Sequence, residues 1–190
     1  MAVPDFRDDP WTRVRTIHDF PADEVISALQ KEIRRGNTEN AAMLAYEMLT
    51  TSAELEAYLW GRLQVISVED VGYGNINAPV LIETLFHMHQ RLPRPRHDRY
   101  MFAIHAVRVL SQSQKERGTD HLLNWIRHAI EDEGQLPVIP DYAVDMHTRR
   151  GQEMGRDFAH FLREASQVSP ELPDSDTTYR DRLLALTKDD

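Results

Sequence analysis

Cysteine is missing from this 190-residue sequence, so neither a disulfide framework nor a thiolate metal site can form. The absence agrees with a reducing compartment, and we expect a cytoplasmic protein. No run of about 18 apolar residues occurs, so we expect no membrane-spanning helix. The N-terminal stretch MAVPDFRDDPW also lacks the basic start and the apolar core that are typical of a secretory signal.

The motifs of nucleotide-binding enzymes are missing as well. None of the 8 glycines is followed by lysine, which excludes a Gly-x4-Gly-Lys-[Ser/Thr] phosphate loop. The lone Gly72-Tyr73-Gly74 follows a predicted helix, whereas a dinucleotide loop follows a strand. The 9 histidines have no partners at the spacing of a zinc site, and we therefore predict no metal and no cofactor.

Lysine is scarce, and acidic residues outnumber basic ones. The chain carries 31 acidic and 22 basic residues, a net charge of −9, which repels nucleic acid at long range. Lysine occurs only at positions 31, 115 and 188, so arginine carries almost all of the basic charge. Arginine forks match phosphate and carboxylate oxygens equally well, and the bias alone does not choose between these two partners.

Apolar residues recur at helical spacing along most of the chain, and no convincing strand alternation occurs. A capping box with Thr51 and Glu54 predicts the start of the third helix, and Gly134 predicts the end of the sixth. The predicted helices cover roughly residues 21–35, 38–49, 52–68, 79–90, 98–112, 119–133, 148–165 and 177–186.

This pattern predicts an all-α fold, an orthogonal or antiparallel bundle of about seven to eight helices. Two prolines and a β-branched pair in QLPVIPDY predict an extended segment near residues 135–147. The predicted organisation is an N-terminal arm over residues 1–18, a helical domain over 19–168, and a C-terminal linker with a short helix over 169–190.

Two adjacent carboxylates, Glu69 and Asp70, lie at the end of the third predicted helix. We predict that Gly72 ends this helix and that the acid pair anchors the following loop by accepting loop N–H groups or by binding an arginine. Arg62 precedes Glu69 by two helical turns and lies on the same face, which makes it the candidate partner. The alternative is acid–base chemistry, which adjacent carboxylates can perform when their pKa values separate.

Two arginine-rich stretches are candidates for binding an anion or a partner protein. The first is Gln90–Arg99, and the second is Met146–Arg156, which we predict to open a helix whose free N–H groups favour an anion. The alternative is that these arginines pair with this chain's own carboxylates, including those in the acidic tail after Pro173. The predicted anion- or partner-binding residues are Arg94, Arg96, His147, Arg149, Arg150 and Arg156.

Three stretches resemble a known family. Val25–Arg34 with Asn40-Ala41-Ala42 is similar to a helix pair of the family pattern "ISA-hK-IR … AA", and Arg62–Gly72 is similar to its signature "RRL-RIA-EDIG". Leu110–Lys115 precedes a predicted helix where the family has a turn. Over residues 20–140 the chain thus resembles the C-terminal helical domain of the replication-associated recombination AAA+ ATPases of the RarA/MgsA type.

The resemblance implies a helical oligomerisation domain of a machine for DNA replication, repair and recombination. It implies a homo-oligomer such as a tetramer, present as a free-standing chain. It also implies a separately encoded AAA+ ATPase as a partner, with nucleic acid contacted indirectly. Trp60 and Phe86 are candidate contacts for self-association.

Three functions therefore compete. The first is a non-catalytic oligomerisation or adaptor module. The second is a direct phosphate- or nucleic-acid-binding protein that uses the arginine-rich stretches. The third is an enzyme with an unfamiliar site around Glu69, Asp70, Asp145 and His147, which lacks an evident nucleophile or substrate. We expect the first, and we expect no catalytic residues.

Overall fold

The regular structure of this protein is helical. The computed structural model describes residues 6–187, and over that range it contains helices, one isolated bridge between Arg15 and Pro21, and no sheet. The predicted all-α fold is therefore confirmed. None of the helices in this range is both long and apolar enough to cross a membrane.

The first three helices follow one another through short connections: α1 (Ala22–Arg35), α2 (Thr38–Thr51) and α3 (Ala53–Ile66). The predicted cap of α3 was wrong by one residue, because Ser52 accepts the hydrogen bond from the Leu55 N–H at 3.1 Å. The Thr51 hydroxyl instead donates to the Glu47 carbonyl at 2.7 Å, inside its own helix. Either hydroxyl can cap a helix, and this competing bond decides between them.

A π-helical turn, Ser67–Val71, extends α3 and leads into a short 3-10 turn, Gly72–Asn75. Three further helices follow: α4 (Ala78–Gln90), α5 (His97–Gln112) and α6 (Gly118–Arg127). A second π-helical turn, His128–Asp132, continues α6.

The apolar core lies among α1 to α5, where α2 packs against α1 and α5, and α5 packs against α4. Trp60 belongs to this core at 1% exposure, and its ring lies 5.5 Å from that of Phe86. The prediction that Trp60 mediates self-association was therefore wrong, because helical spacing does not tell a core face from an interface. For Phe86, which is only partly buried, it stays a prediction. The large, fully buried apolar side chains are Leu29, Ile33, Met48, Leu49, Leu55, Leu59, Trp60, Leu63, Ile66, Ile82 and Leu110.

Residues 11–18 of the predicted arm lie on this core, and residues 1–5 lie outside the described range. Trp11 packs its ring 4.9 Å from that of Tyr58, and Val14 is partly buried against the core. The His18 N–H donates to Glu47 Oε1 at 3.0 Å. The arm is therefore part of the helical unit.

The chain divides into two compact units, with the boundary between Gly134 and Gln135. The predicted domain over residues 19–168 spans this boundary. Residues 135–140 form no helix, and their apolar side chains are exposed, with Leu136 at 83% and Val138 at 86%. This segment adds nothing to the core, and its two prolines cannot continue a helix.

The second unit contains only short elements. A 3-10 turn, Asp141–Ala143, ends the extended segment. Three helices follow: α7 (Arg149–Glu153), α8 (Phe158–His160), which a π-helical turn Phe161–Ala165 extends, and α9 (Thr178–Leu186).

The predicted continuous helix over residues 148–165 was wrong. The chain leaves the helix after α7, and Gly155 has a φ of 71°, which a residue with a Cβ rarely adopts. A new start follows at Asp157, whose carboxylate accepts the His160 N–H at 2.9 Å.

Candidate functional site

The acid pair Glu69–Asp70 lies in the π-helical turn after α3, at the centre of a cluster of polar side chains. Asp70 is fully buried, and Arg34 donates from Nε to its Oδ1 at 2.5 Å. Arg117 Nε lies 3.1 Å from the same oxygen. Gln30 Nε2 joins the two carboxylates by donating to Glu69 Oε1 at 2.8 Å and to Asp70 Oδ2 at 3.0 Å.

The predicted partner, Arg62, has a smaller part in this cluster. Its Nη2 lies 3.7 Å from Glu69 Oε2, and it donates a short hydrogen bond to Gln30 Oε1. The main cations are Arg34 on α1 and Arg117 before α6. They lie far from Asp70 in the sequence, and no local pattern points to them.

Gly72 ends the helical segment, as its sequence position predicted, and it lets two backbone segments meet. Its φ is 49°, and a Cβ on this residue would lie 2.5 Å from the Glu116 carbonyl oxygen. Next to it, the Glu116 N–H donates to the Asp70 carbonyl at 3.1 Å. Only glycine satisfies both the conformation and the close approach.

Lys115 lies beside this cluster. Its ammonium group donates to the Ser111 carbonyl at 3.0 Å and to the Ser113 carbonyl at 2.5 Å. Burial lowers the pKa of Lys115, and the negative charge of Asp70 partly opposes this shift. Since the carboxylates are engaged by arginine and glutamine side chains, the arrangement is that of a clamp between α1, α3 and the segment before α6.

A second buried carboxylate, Glu56 on α3, was missed by the sequence analysis. Its side chain is 3% exposed, and His89 Nε2 lies 2.9 Å from Oε1. Arg99 donates from Nε to the same oxygen at 2.6 Å, and Arg94 Nε lies 3.1 Å from Oε2. We call Glu56, His89, Arg94 and Arg99 the Glu56 centre.

Burial lowers the pKa of His89, although hydrogen bonding to the Arg99 carbonyl and the charge of Glu56 favour the protonated ring. The Arg94 guanidinium also donates to the Leu49 carbonyl at 2.7 Å. The Glu56 centre thus ties α2, α3, α4 and the loop before α5 together.

The two predicted binding residues of the first arginine-rich stretch differ in their surroundings. Arg94 was predicted to bind an anion, but it is engaged by Glu56 and by the Leu49 carbonyl. Arg96 is 53% exposed and lies 3.7 Å from Asp98. Of these two predicted residues, only Arg96 offers its guanidinium to a partner.

The second arginine-rich stretch lies in the second unit, and its arginines also differ in whether this chain's own groups engage them. Arg156 donates from Nη2 to both carboxylate oxygens of Asp141, at 2.7 and 2.6 Å, and from Nη1 to the carbonyls of Asp141 and Val144. Its partner is therefore Asp141, not the acidic tail after Pro173. Because the helix is broken at Gly155, Arg149 and Arg156 do not share a continuous helix face, as had been expected.

The remaining predicted residues of this stretch lie around α7. His147 pairs with Asp145 (Nδ1 to Oδ2, 2.9 Å), and its ring meets that of Phe161 edge-on at 5.2 Å. A hydrogen bond from His147 lowers the pKa of Asp145. Arg149 and Arg150 are exposed, and within residues 6–187 neither guanidinium group forms a hydrogen bond or ion pair.

The hypothetical enzyme site is not brought together within either unit. Glu69 and Asp70 belong to the first unit, whereas Asp145 and His147 belong to the second. Across the described residues, no group of three or more histidine or acidic side chains is arranged to hold a metal ion.

The first unit also carries two exposed apolar surfaces. The first, which we call the α6 face, runs along one side of α6 and its π-helical extension, and its side chains are 42–58% exposed. Asp120 and Asn124 lie on the opposite, polar side of the helix. There Arg117 donates to Asp120 at 2.6 Å and also pairs with Asp70. The α6 face consists of Leu122, Leu123, Trp125, Ile126 and Ile130.

The second surface, which we call the α5 groove, is an open cavity of about 600 Å³ along α5. Its walls are mostly apolar and aromatic, and the Tyr46 and Tyr100 rings meet edge-on at 6.0 Å. The groove is lined by Tyr46, Leu85, His97, Tyr100, Met101, Phe102, Ile104, His105 and Arg108, and none of these residues is acidic.

Comparison with known proteins identifies no relative: no protein-family model matches this chain, and no curated protein matches it.

Proposed function

We propose that this chain is a non-catalytic helical module that associates with further copies of itself. The observation that carries the proposal is the α6 face, where five large apolar side chains lie side by side and are about half exposed. A helix normally turns its apolar side to the core, and a contiguous exposed patch is typical of a protein interface. Here the polar side of α6 faces Arg117 and Asp70 instead.

The family resemblance extends this proposal. On that basis the module serves a DNA replication, repair or recombination machine, and its further partner is a separately encoded AAA+ ATPase. The Glu69–Asp70 pair and Gly72, which carry the most specific part of the resemblance, then hold the module in shape. Their cations come from the chain itself, which supports a structural role for them.

The alternative is direct binding of phosphate or nucleic acid. It rests on Arg149 and Arg150, which are exposed and have no partner within the described part of the second unit. Reversing both charges would then weaken binding to a labelled oligonucleotide, and binding by the parent protein would fall as salt rises. Oligonucleotide binding that is equal in the parent and in Arg149→Glu/Arg150→Glu would exclude this site.

Light scattering tests the main proposal. The full chain at tens of micromolar is expected to have a mass above 22.0 kDa, and Trp125→Asp is expected to lower it towards one chain. Val80→Asp on α4 is the matched control, since Val80 is also apolar and 70% exposed but lies outside the α6 face. A parent protein of one-chain mass at this concentration would overturn the proposal.

A further inference from the structure

We infer that the α6 face of one copy binds in the α5 groove of a second copy, in a head-to-tail contact. This inference rests on the proposed self-association and names the two surfaces that meet. The two surfaces are different parts of one unit, so each copy offers both of them. Such heterologous contacts close into rings or continue as open chains, depending on the rotation between neighbours.

The shapes of the two surfaces agree. The ten residues of α6 form a rod ~15 Å long, and the stretch of α5 from His97 to Arg108 is ~18 Å long at the helical rise. The groove has apolar walls, including Leu85 and Met101, which suit leucine, isoleucine and tryptophan side chains. A helix that lays its apolar side in such a groove is a common mode of recognition.

The charges of the two surfaces also agree. Three side chains with polar ends lie along the groove, those of His97, His105 and Arg108. Within residues 6–187 none of these side chains forms a hydrogen bond or an ion pair. Three acidic residues, Glu131, Asp132 and Glu133, lie at the end of the π-helical turn that extends α6. They pair locally with Arg127 and His128, and because acids outnumber these partners, the end of the α6 face keeps an excess of negative charge. The guanidinium group of Arg108 and the acidic helix end attract one another, and this attraction favours one direction of the helix in the groove.

This complementarity favours the groove over a second α6 face as the partner. Two α6 faces packed against each other, in either direction, would leave the apolar α5 groove uncovered and Arg108 without a partner. In the head-to-tail arrangement each apolar surface is covered and the charges are opposite.

Complementation between two variants of the full chain tests the inference. The groove variant is Met101→Asp/Arg108→Glu, and the face variant is Leu122→Asp/Ile126→Asp; all four residues are exposed, so folding is retained. Each variant alone is expected to associate at least about 30-fold more weakly than the parent in sedimentation velocity. An equimolar mixture is expected to form a 1:1 dimer and nothing larger, because each pair retains one intact contact.

The outcomes separate the inference from the proposed function. If the parent protein is a monomer, both fail; this is the result expected if a small apolar ligand or this chain's own second unit occupies either surface. If the parent associates but the groove variant associates equally well, or the mixture stays monomeric, the inference is overturned and self-association stands. Should an aspartate variant misfold, Arg108→Glu and Glu131→Arg replace the pair. Each alone should associate more weakly than the parent, and their mixture should regain the assembly of the parent, because the two reversed charges also attract one another.

Discussion

Arg99 and Arg156 form similar contacts in different surroundings. Each binds a carboxylate at 2.6 Å and also donates to main-chain carbonyls. The carboxylate of Glu56 is 3% exposed, whereas that of Asp141 is 76% exposed. An arginine in a basic stretch of sequence is thus held by its own chain in both units. The two arginine side chains are similarly buried, at 15% and 12% exposure, and only the carboxylate differs in its exposure to water.

The difference determines what each pair contributes. Removing one member of a buried ion pair leaves the other charges without water or partner, and this is costly. Around an exposed carboxylate, water replaces the lost partner, and the effect is small. The Glu56 centre is therefore expected to determine the stability of the first unit, and Arg156–Asp141 to adjust only the local order of the second.

The largest effect is expected for Glu56→Ala. The substitution leaves His89, Arg94 and Arg99 without their common carboxylate and should lower the free energy of unfolding by about 3–5 kcal/mol. Chemical denaturation measures this change. Glu54→Ala on the same helix is the control, because Glu54 is exposed and its loss should destabilise the protein far less than the loss of Glu56. Equal losses of stability at the two positions would contradict the account, because a buried carboxylate should then matter no more than an exposed one.

Asp70→Ala is expected to destabilise the protein less than Glu56→Ala does. It should lower the free energy of unfolding by about 2–3 kcal/mol. Asp70 is fully buried, but its partners Arg34 and Arg117 are each 29% exposed and can be rehydrated in part. The same denaturation experiment measures the change. A variant that unfolds like the parent would show that the clamp does not stabilise the fold.

Gly72→Ala separates backbone fit from ionic pairing at this clamp. It should cost about 1–3 kcal/mol, because alanine disfavours the positive φ and its Cβ would meet the Glu116 carbonyl. Gly61→Ala is the control, because Gly61 lies inside α3 with open space around it. This substitution should raise the free energy of unfolding by about 0.5–1 kcal/mol. Effects of the same sign at both glycines would contradict this account of Gly72.

The smallest effect is expected for the Asp141–Arg156 pair, and it depends on pH. A hydrogen bond from Arg156 lowers the pKa of Asp141 below its ordinary value of 3.8. The resulting stabilisation is present above pH 3.8 and is lost as the pH falls through the lower, folded-state pKa. Amide exchange over residues 141–156 should therefore be faster in Asp141→Asn than in the parent at pH 6, and the two should converge once the pH lies below the folded-state pKa of Asp141. A difference that persists in acid would contradict the assignment.

The apolar core was the most predictable part of the molecule from sequence. Val25, Leu29 and Ile33 recur at helical spacing, and all three are buried in α1. The end of the helical segment at Gly72 was also predictable, since glycine and a loop-rich sequence follow it. In these cases the deciding interactions lie within a few residues of one another.

The polar centres were less predictable, because their members come from distant parts of the chain. Glu56 has no neighbour in sequence that points to His89 or Arg99, and Arg34 reaches Asp70 from another helix. Gly155 was a local signal for the break after α7, but the strong apolar pattern around it favoured one long helix. The apolar pattern of α6 predicted a helix but not that its apolar side is exposed.

Amide exchange at two protein concentrations tests the central claim, namely that a second copy covers the α6 face. The parent protein would be compared at 1 and 100 µM. The internal reference is the start of α4 around Val80, because Leu85 farther along this helix lines the α5 groove. We predict that the amides of residues 118–130 exchange more slowly at the higher concentration, while those around Val80 are unchanged. Equal exchange of residues 118–130 at both concentrations would contradict the claim.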